Sequence, residues 1–151
     1  MILPDINLLL YAYNPHVPQH SAAAHWWESA MNGDELIGLP NEVSLGFVRI
    51  ATHPCLGVIA VPVNRARQVV ETWLALPHVR VLTPCVDHFA KVMDLVAQAM
   101  GSGPLISDAV LAAYAMENRA VLHTNDADFS RFPALKWHNP LQSLAERASI
   151  T

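Results

Sequence analysis

The sequence predicts a single α/β domain in which a mainly parallel sheet carries helices on both faces. Short apolar or β-branched runs alternate with longer segments of helical periodicity along the whole chain, without an internal repeat or a domain-sized linker. The length of 151 residues suits one core. An apolar content of 52% with only 15% charged residues excludes a disordered chain.

The first half of the chain begins with an apolar run that leads directly into a helix. Ile6, Leu9 and Tyr13 recur at helical spacing, and Asn14-Pro15 ends that helix. His53-Pro54 ends the third helix in the same way, and a loop is expected after it. The predicted strands are 1–4 and 36–39, the predicted helices are 20–31 and 41–52 besides the first at 6–13, and the loop is 55–61.

The second half continues the alternation. Pro62 suits the first turn of a helix, and the sequence Gly-Ser-Gly-Pro at 101–104 makes the clearest break in the chain. A polar segment after the last long strand predicts a turn-rich loop. The predicted helices are 63–76, 86–100 and 105–118, the strands are 79–82 and 120–124 with one more short strand near Trp137, and the loop is 125–133.

Bulk composition limits the compartment and the partners. Nine Lys plus Arg against 13 Asp plus Glu give a formal net charge of −4, so the chain lacks the basic excess typical of nucleic-acid binders. Cys55 and Cys85 are too few for a disulfide framework, although one bridge stays open. The start lacks a basic signal-peptide region and no apolar run reaches a membrane span. We expect a soluble, cytoplasmic protein with no membrane attachment.

Acidic side chains follow three of the predicted strands. Asp5 comes after the first strand, and Glu42 opens the helix after the second. Asp126 and Asp128 follow the last long strand, and Asp108 lies in a helical segment that has no other charged residue nearby. Because ligand sites of parallel α/β sheets lie at the carboxyl ends of strands, we expect these acids to converge.

Each acid also has a structural interpretation. Asp5 suits a helix N-cap, and Glu42 and Asp108 suit the first turn of a helix. Asp126 and Asp128 suit a turn. Their coincidence at strand ends favours a shared site, and converging carboxylates are stable when hard divalent cations neutralise them. Oxygen ligands favour Mg²⁺ or Mn²⁺ over Zn²⁺, and such ions support phosphodiester hydrolysis.

Four motifs carry a resemblance to a known family. The first is D-x-N at Asp5, and the second runs E-V-S-L-G-F-V-R-I-A-T-H-P from Glu42. The third is S-D-A-V-L-A-A-Y-A from Ser107, and the fourth is L-H-T-N-D-A-D-F-S-R-F-P from Leu122. In this order they resemble the PIN-domain ribonucleases, and more narrowly the VapC-type toxins of type II toxin–antitoxin pairs. The resemblance implies a three-layer α/β/α PIN-like nuclease domain at 1–140, followed by a C-terminal tail at 141–151.

The resemblance also implies residue roles for a metal-dependent endoribonuclease. One group of acids would carry catalysis and hold Mg²⁺ or Mn²⁺, with Asp128 as an auxiliary ligand. Asn7 and Thr124 would orient these carboxylates, and Arg131 is the basic residue of the closing motif. The family's usual products carry 5′-phosphate and 3′-hydroxyl ends. The catalytic acids implied are Asp5, Glu42, Asp108 and Asp126.

Partners follow from the resemblance alone. It implies an RNA substrate, a cognate VapB-type antitoxin whose C-terminal segment occupies a groove near the active site, and a homodimer. His123 and Asn125 flank Thr124, where relatives also carry small or apolar residues. This difference leaves the assigned acids unchanged but leaves open how their immediate surroundings are adjusted. His123 is a candidate for RNA contact, and Arg49 for phosphate contact.

Two other functions stay open on the residues alone. A doubly wound phosphohydrolase or phospho-acceptor domain would also place Asp at strand ends, but it needs a D-x-D pattern and a suitable lysine. The lysines, Lys91 and Lys136, follow no predicted strand. A non-catalytic interaction module would not explain the acids. Four aromatic residues could stack on bases, although helical spacing favours the core for them; they are Trp26, Trp27, Phe47 and Trp73.

Overall fold

The computed structural model describes residues 1–142 as helices on both sides of a short central sheet. The order of elements follows the predicted alternation throughout. The strands are β1 (Ile2–Pro4), β2 (Ile37–Pro40), β3 (Val79–Leu82), β4 (Val121–His123) and β5 (Trp137–His138). The α-helices are α1 (Ile6–Tyr13), α2 (His20–Asn32), α3 (Asn41–Ala51), α4 (Val63–Leu74), α5 (His88–Gln98) and α6 (Ile106–Glu117).

The sheet is parallel and has the order β3-β2-β1-β4-β5. From β1 the chain moves outward through β2 to β3, and it then returns to β4 on the other side of β1. Because parallel crossovers are right-handed, this reversal places α1 to α4 on one face and α5 with α6 on the other. The helix contacts agree, since α1 packs on α2 and α3, α3 packs on α4, and α5 packs on α6. The predicted three-layer α/β/α class is confirmed.

An aromatic cluster fills the core under the first helical layer. The ring of Trp73 lies 4.8 Å from that of Phe47 and 5.5 Å from that of Trp27, measured between centroids. The indole N–H of Trp73 donates to the hydroxyl of Tyr13 over 2.8 Å. Trp26 is also buried, so the core interpretation of all four aromatic residues is confirmed and none presents its ring for base stacking.

Two of the predicted loops contain 3-10 turns instead, at Pro54–Ile59, where Gly57 with φ 58° separates two short turns, and at Ala127–Arg131. Each begins with a local side-chain cap: His53 Nδ1 accepts from the N–H of Cys55, and Asp126 Oδ1 accepts from the N–H of Asp128. Such single turns need no apolar period, so helical spacing cannot reveal them. A third 3-10 turn, Gly103–Leu105, lies at the predicted break and leads into α6.

Three further expectations concern the cysteines, the membrane and the tail. Cys55 and Cys85 are free and exposed, so they form no bridge with each other. Over residues 1–142, none of the helices is long and apolar enough to cross a membrane. The tail expected at 141–151 lies outside the described residues apart from its first two positions.

Candidate active site

The strand order reverses between β1 and β4, and this switch point is where the predicted acids lie. In open α/β sheets, ligands bind at the carboxyl ends of the strands beside such a reversal. Asp5 directly follows β1, and its backbone N–H donates to the carbonyl of His123 at the end of β4 over 2.9 Å. The loop that carries Thr124 and Asp126 therefore begins next to Asp5.

Thr124 ties the two loops together. Its side chain is fully buried, and its hydroxyl donates to Asp5 Oδ2 over 2.7 Å. The same hydroxyl oxygen accepts the backbone N–H of Asp126 over 3.0 Å. Asp126 in turn uses Oδ1 to accept the N–H of Asp128 over 2.8 Å. One hydroxyl thus holds the Asp5 carboxylate against the loop of Asp126, which is the geometry expected of an orienting residue.

Asp5 is a buried carboxyl group that forms no ion pair with a basic side chain of residues 1–142. Burial raises its pKa above the ordinary value, and the negative charge of Asp126 adds to this. The hydrogen bond from the Thr124 hydroxyl and the nearby backbone N–H groups of Asn7 and Ile6 act in the opposite direction and lower the pKa. The side chain of Asn7 makes no hydrogen bond within residues 1–142, so the support that Asn7 gives Asp5 here comes from its main chain.

Asp108 lies in the first turn of α6, half-buried beside the other acids. Burial raises its pKa to about 6, with further contributions from the charges of Asp126, Asp5 and Asp128. Arg131 opposes this rise. The structure therefore brings four of the five predicted acids into one electrostatic neighbourhood.

Glu42 lies in the first turn of α3 and completes the acidic wall of a cavity of about 440 Å³. Asp5, Asp108 and Arg49 line the same cavity. Glu42 Oε1 accepts a hydrogen bond from the hydroxyl of Tyr114 over 3.1 Å. Burial and this neighbouring carboxylate raise the pKa of Tyr114 to about 12, so the phenol stays a donor near neutral pH.

Sequence reasoning missed Tyr114. A signal for it exists, because Tyr114 is the one residue between Asp108 and Glu117 whose side chain carries a polar oxygen or nitrogen. A hydroxyl on a helix rich in alanine needs a partner when it is buried. The sequence does not reveal that this partner is Glu42.

Asp128 and Arg131 lie at the rim of the site. Both line a smaller cavity of about 190 Å³ together with Asp108. Arg131 donates from Nη2 to the carbonyl of Ala99 over 3.0 Å, so its guanidinium is held near the acids without forming an ion pair with them.

His123 has a packing role. Its Nδ1 accepts from the indole N–H of Trp26 over 3.1 Å, and its ring lies 5.2 Å from the ring of His138. Burial, reinforced by His138, lowers the pKa of His123 to about 4. The imidazole is therefore neutral near neutral pH, so it offers no positive charge to an RNA phosphate, and its contact with RNA stays a prediction.

The donor set of the candidate site suits a hard divalent cation. Within residues 1–142, no Lys, Arg or His nitrogen lies within 4.0 Å of the carboxylates of the five predicted acids. Their oxygens do not form a closed ligand set, as expected for like charges with no cation between them. A different set of side chains in the described part of the chain could hold a metal ion. Its ligand atoms lie within 4.8 Å of one another, and its members are Cys85, Asp87 and Glu117.

Lys91 and His88 form ion pairs with the acids of that other group. The Lys91 ammonium lies 3.2 Å from Asp87 and 3.8 Å from Glu117, and His88 Nδ1 lies 2.9 Å from Glu117. Its charges are therefore compensated within the protein, unlike those at the switch point.

A parallel sheet with uncompensated acids at its switch point, built from the four motifs above, defines a PIN-type α/β domain. The PIN domain family model matches residues 2–135, and the chain belongs to this family. Ribonuclease VapC33 of Mycobacterium tuberculosis is 41% identical over 142 residues, which cover 94% of this chain and 99% of that protein. Ribonuclease VapC43 of the same organism is 35% identical and covers 93% of this chain and 96% of its own length.

Solved structures share the fold. VapBC2 of Rickettsia felis, bound to a DNA fragment from its promoter, has a TM-score of 0.67 at 17% identity and covers 92% of this chain and 98% of that one. The sarcin–ricin loop cleaving toxin VapC20 of Mycobacterium tuberculosis has a TM-score of 0.66 at 17% identity, with 86% and 93% covered.

Proposed function

We propose that this protein is a metal-dependent endoribonuclease that acts as the toxin of a toxin–antitoxin pair. The observation that carries the proposal is the group of uncompensated carboxylates at the switch point between β1 and β4. The relatives named ribonuclease VapC, at up to 41% identity over nearly the whole chain, support the choice of RNA as substrate. The proposed ligands of Mg²⁺ or Mn²⁺ are Asp5, Glu42, Asp108 and Asp126, with Asp128 as an auxiliary.

The charge balance of the chain fits this proposal. Removing four acids from the formal charge of −4 leaves 0, so the candidate site accounts for the whole acidic excess. When bound, such ions activate a water molecule and stabilise the entering and leaving oxygens of a phosphodiester. If the P–O3′ bond breaks and the 3′-oxygen leaves with a proton, the products carry the 5′-phosphate and 3′-hydroxyl ends that the resemblance implies.

The protein's own residues position and select the substrate in this proposal. Thr124 holds the carboxylate of Asp5, and the burial of Asp5 excludes bulk water from that side of the site. Arg49 lines the acidic cavity and makes no ion pair within residues 1–142. We assign Arg49 and Arg131 to contacts with RNA phosphates, since guanidinium groups suit phosphate oxygens.

A VapB-type antitoxin and a second copy of the chain are the proposed protein partners. An apolar cavity of about 360 Å³ lies beside the acidic one and shares Ile50 with it. Its wall includes Leu10, Val58 and Ile59, which suits a hydrophobic segment of an antitoxin. The nuclease domain is proposed to extend over 1–140, with 141–151 as a tail. A strict monomer at micromolar concentration, measured by light scattering, would count against the homodimer.

The test is cleavage of RNA by the purified protein. We expect cutting in the presence of Mg²⁺ or Mn²⁺, none in EDTA, and none by Asp5→Ala or Asp108→Ala proteins whose circular dichroism matches the wild type. Asp34→Ala is the control, because Asp34 is an exposed acid outside the site. Unchanged cleavage by folded Asp5→Ala and Asp108→Ala proteins would exclude the site. Hydrolysis of a phosphate monoester without RNA cleavage would favour the phosphohydrolase alternative.

A further inference from the structure

Tyr114 is the feature of the site that the four motifs leave without a role. Its side chain is 1% exposed in the middle of α6, and its hydroxyl lies 3.1 Å from Glu42 Oε1 on α3. The contact joins two helices that lie 72 residues apart in sequence and belong to opposite helical layers. A buried phenol therefore reaches from one layer to a candidate metal ligand on the other.

The Tyr114 ring is fixed by its own neighbours. The ring of His88 lies 4.5 Å from it, measured between centroids. His88 Nδ1 bonds Glu117 Oε1 over 2.9 Å, and the side chain of Glu117 is 1% exposed. The backbone N–H of Cys85 donates to the other oxygen of Glu117 over 3.4 Å. These contacts leave the tyrosine ring little freedom, so its hydroxyl is presented from a rigid position.

Glu42 has no comparable support of its own. It is an exposed residue in the first turn of α3, and within residues 1–142 its carboxylate has one hydrogen-bond partner, Tyr114. A glutamate has three side-chain torsions, and a surface carboxylate without a partner samples many rotamers. The hydroxyl engages Oε1 and leaves Oε2 without a hydrogen bond in the described part of the chain. The Tyr114 hydroxyl thus selects Glu42 rotamers in which Oε2 stays free to bind a cation.

We propose that Tyr114 is a positioning residue that holds the Glu42 carboxylate in the orientation in which it binds the divalent cation. This inference rests on the proposed function. Residues that hydrogen-bond to a metal-binding carboxylate orient it. Mutation of such a residue commonly weakens metal affinity or activity by about 10- to 100-fold. Tyr114 acts through Glu42 and touches neither substrate nor ion.

Tyr114→Phe removes the hydroxyl and keeps the ring. We expect Mn²⁺ to bind this variant about tenfold or more weakly by isothermal titration calorimetry. RNA cleavage should need correspondingly more Mn²⁺ and return towards the wild-type rate at saturating Mn²⁺. The matched control is Tyr11→Phe, because the hydroxyl of Tyr11 makes no hydrogen bond within residues 1–142. A lower melting temperature with unchanged Mn²⁺ affinity would mean that the hydroxyl serves only folding, and would overturn the proposal.

A double-mutant cycle separates action through Glu42 from action elsewhere. If Tyr114 works only by orienting Glu42, its loss has no further effect once the carboxylate is gone. We therefore expect the Mn²⁺ affinity of the Glu42→Gln/Tyr114→Phe double variant to equal that of Glu42→Gln alone. Two losses that multiply would overturn the proposal.

Asp5→Asn distinguishes failure of this inference from failure of the proposed function. If Asp5→Asn is inactive while Tyr114→Phe binds Mn²⁺ like the wild type, only the positioning role fails. If Asp5→Asn cleaves RNA at the wild-type rate, the proposed function fails, and the positioning role fails with it.

Discussion

Replacing Asp108 by Asn should stabilise the metal-free protein near neutral pH. The negative charges of Asp126, Asp5 and Asp128 act on Asp108 in addition to burial, and its pKa rises from 3.8 to about 6. A carboxyl group with a raised pKa favours folding while it is protonated. Its contribution is fully present below about pH 4 and is lost as the pH rises through about 6. Near pH 7 the repulsion between the Asp108 carboxylate and the neighbouring acids therefore destabilises the folded wild type. Asn at this position carries no charge and removes that repulsion.

The size of this effect follows from the shift. A rise of about two pKa units corresponds to about 3 kcal/mol at 1.36 kcal/mol per unit. Asp108 is only half-buried, so solvent screening reduces the expected gain to about 1 kcal/mol. This gain in unfolding free energy is still larger than the change expected for Asp→Asn at a fully exposed position, which lies within about 0.5 kcal/mol.

Urea unfolding in EDTA measures the gain. We expect Asp108→Asn to exceed the wild type in free energy of unfolding by about 1 kcal/mol at pH 7 and to match it near pH 4. Asp34→Asn is the control for the same chemical change at an exposed position. Added Mn²⁺ should stabilise the wild type more than the variant, because a ligand that binds only the folded state stabilises it. A variant less stable than the wild type at pH 7, or a difference independent of pH, would refute the convergence of these charges.

Two further substitutions test the support of the site and the core. Thr124→Val removes the hydrogen bond to Asp5 and one from a backbone N–H, so urea unfolding should show a loss of about 2–4 kcal/mol, against less than about 0.5 kcal/mol for the exposed Thr72→Val. A loss below 1 kcal/mol would contradict the bridging role of that hydroxyl. Phe47→Ala should cost about 3–5 kcal/mol because it opens a cavity in the aromatic cluster, whereas the neighbouring, 68% exposed Leu45 should tolerate Ala. Equal losses for the two would place Phe47 outside the core.

Local pattern was sufficient to predict the alternation of elements. Periodicity and proline positions predicted each helix and strand to within a few residues, because each long element carries its own apolar spacing. Asp5, Glu42 and Asp126 were predicted as site residues because each comes within three residues of the end of a strand. The 3-10 turn at Ala127–Arg131 was missed, since a side-chain cap builds it and no apolar period marks it.

Spatial relations were beyond the sequence. The order β3-β2-β1-β4-β5 depends on which strands pair, and that order creates the switch point beside β1. The bond between Tyr114 and Glu42 spans two helical layers, and neither segment alone indicates it. Asn7 shows the same limit at short range, because its backbone N–H lowers the pKa of Asp5 while its side chain makes no hydrogen bond within residues 1–142.

The acids at the switch point are proposed to form a divalent-cation site. Anomalous diffraction from crystals soaked in Mn²⁺ tests this directly. We predict anomalous density among the carboxylates of Asp5, Asp108 and Asp126, and its loss in Asp5→Asn crystals. Density at Cys85 and Glu117 with none at the switch point would contradict a cation site among these acids.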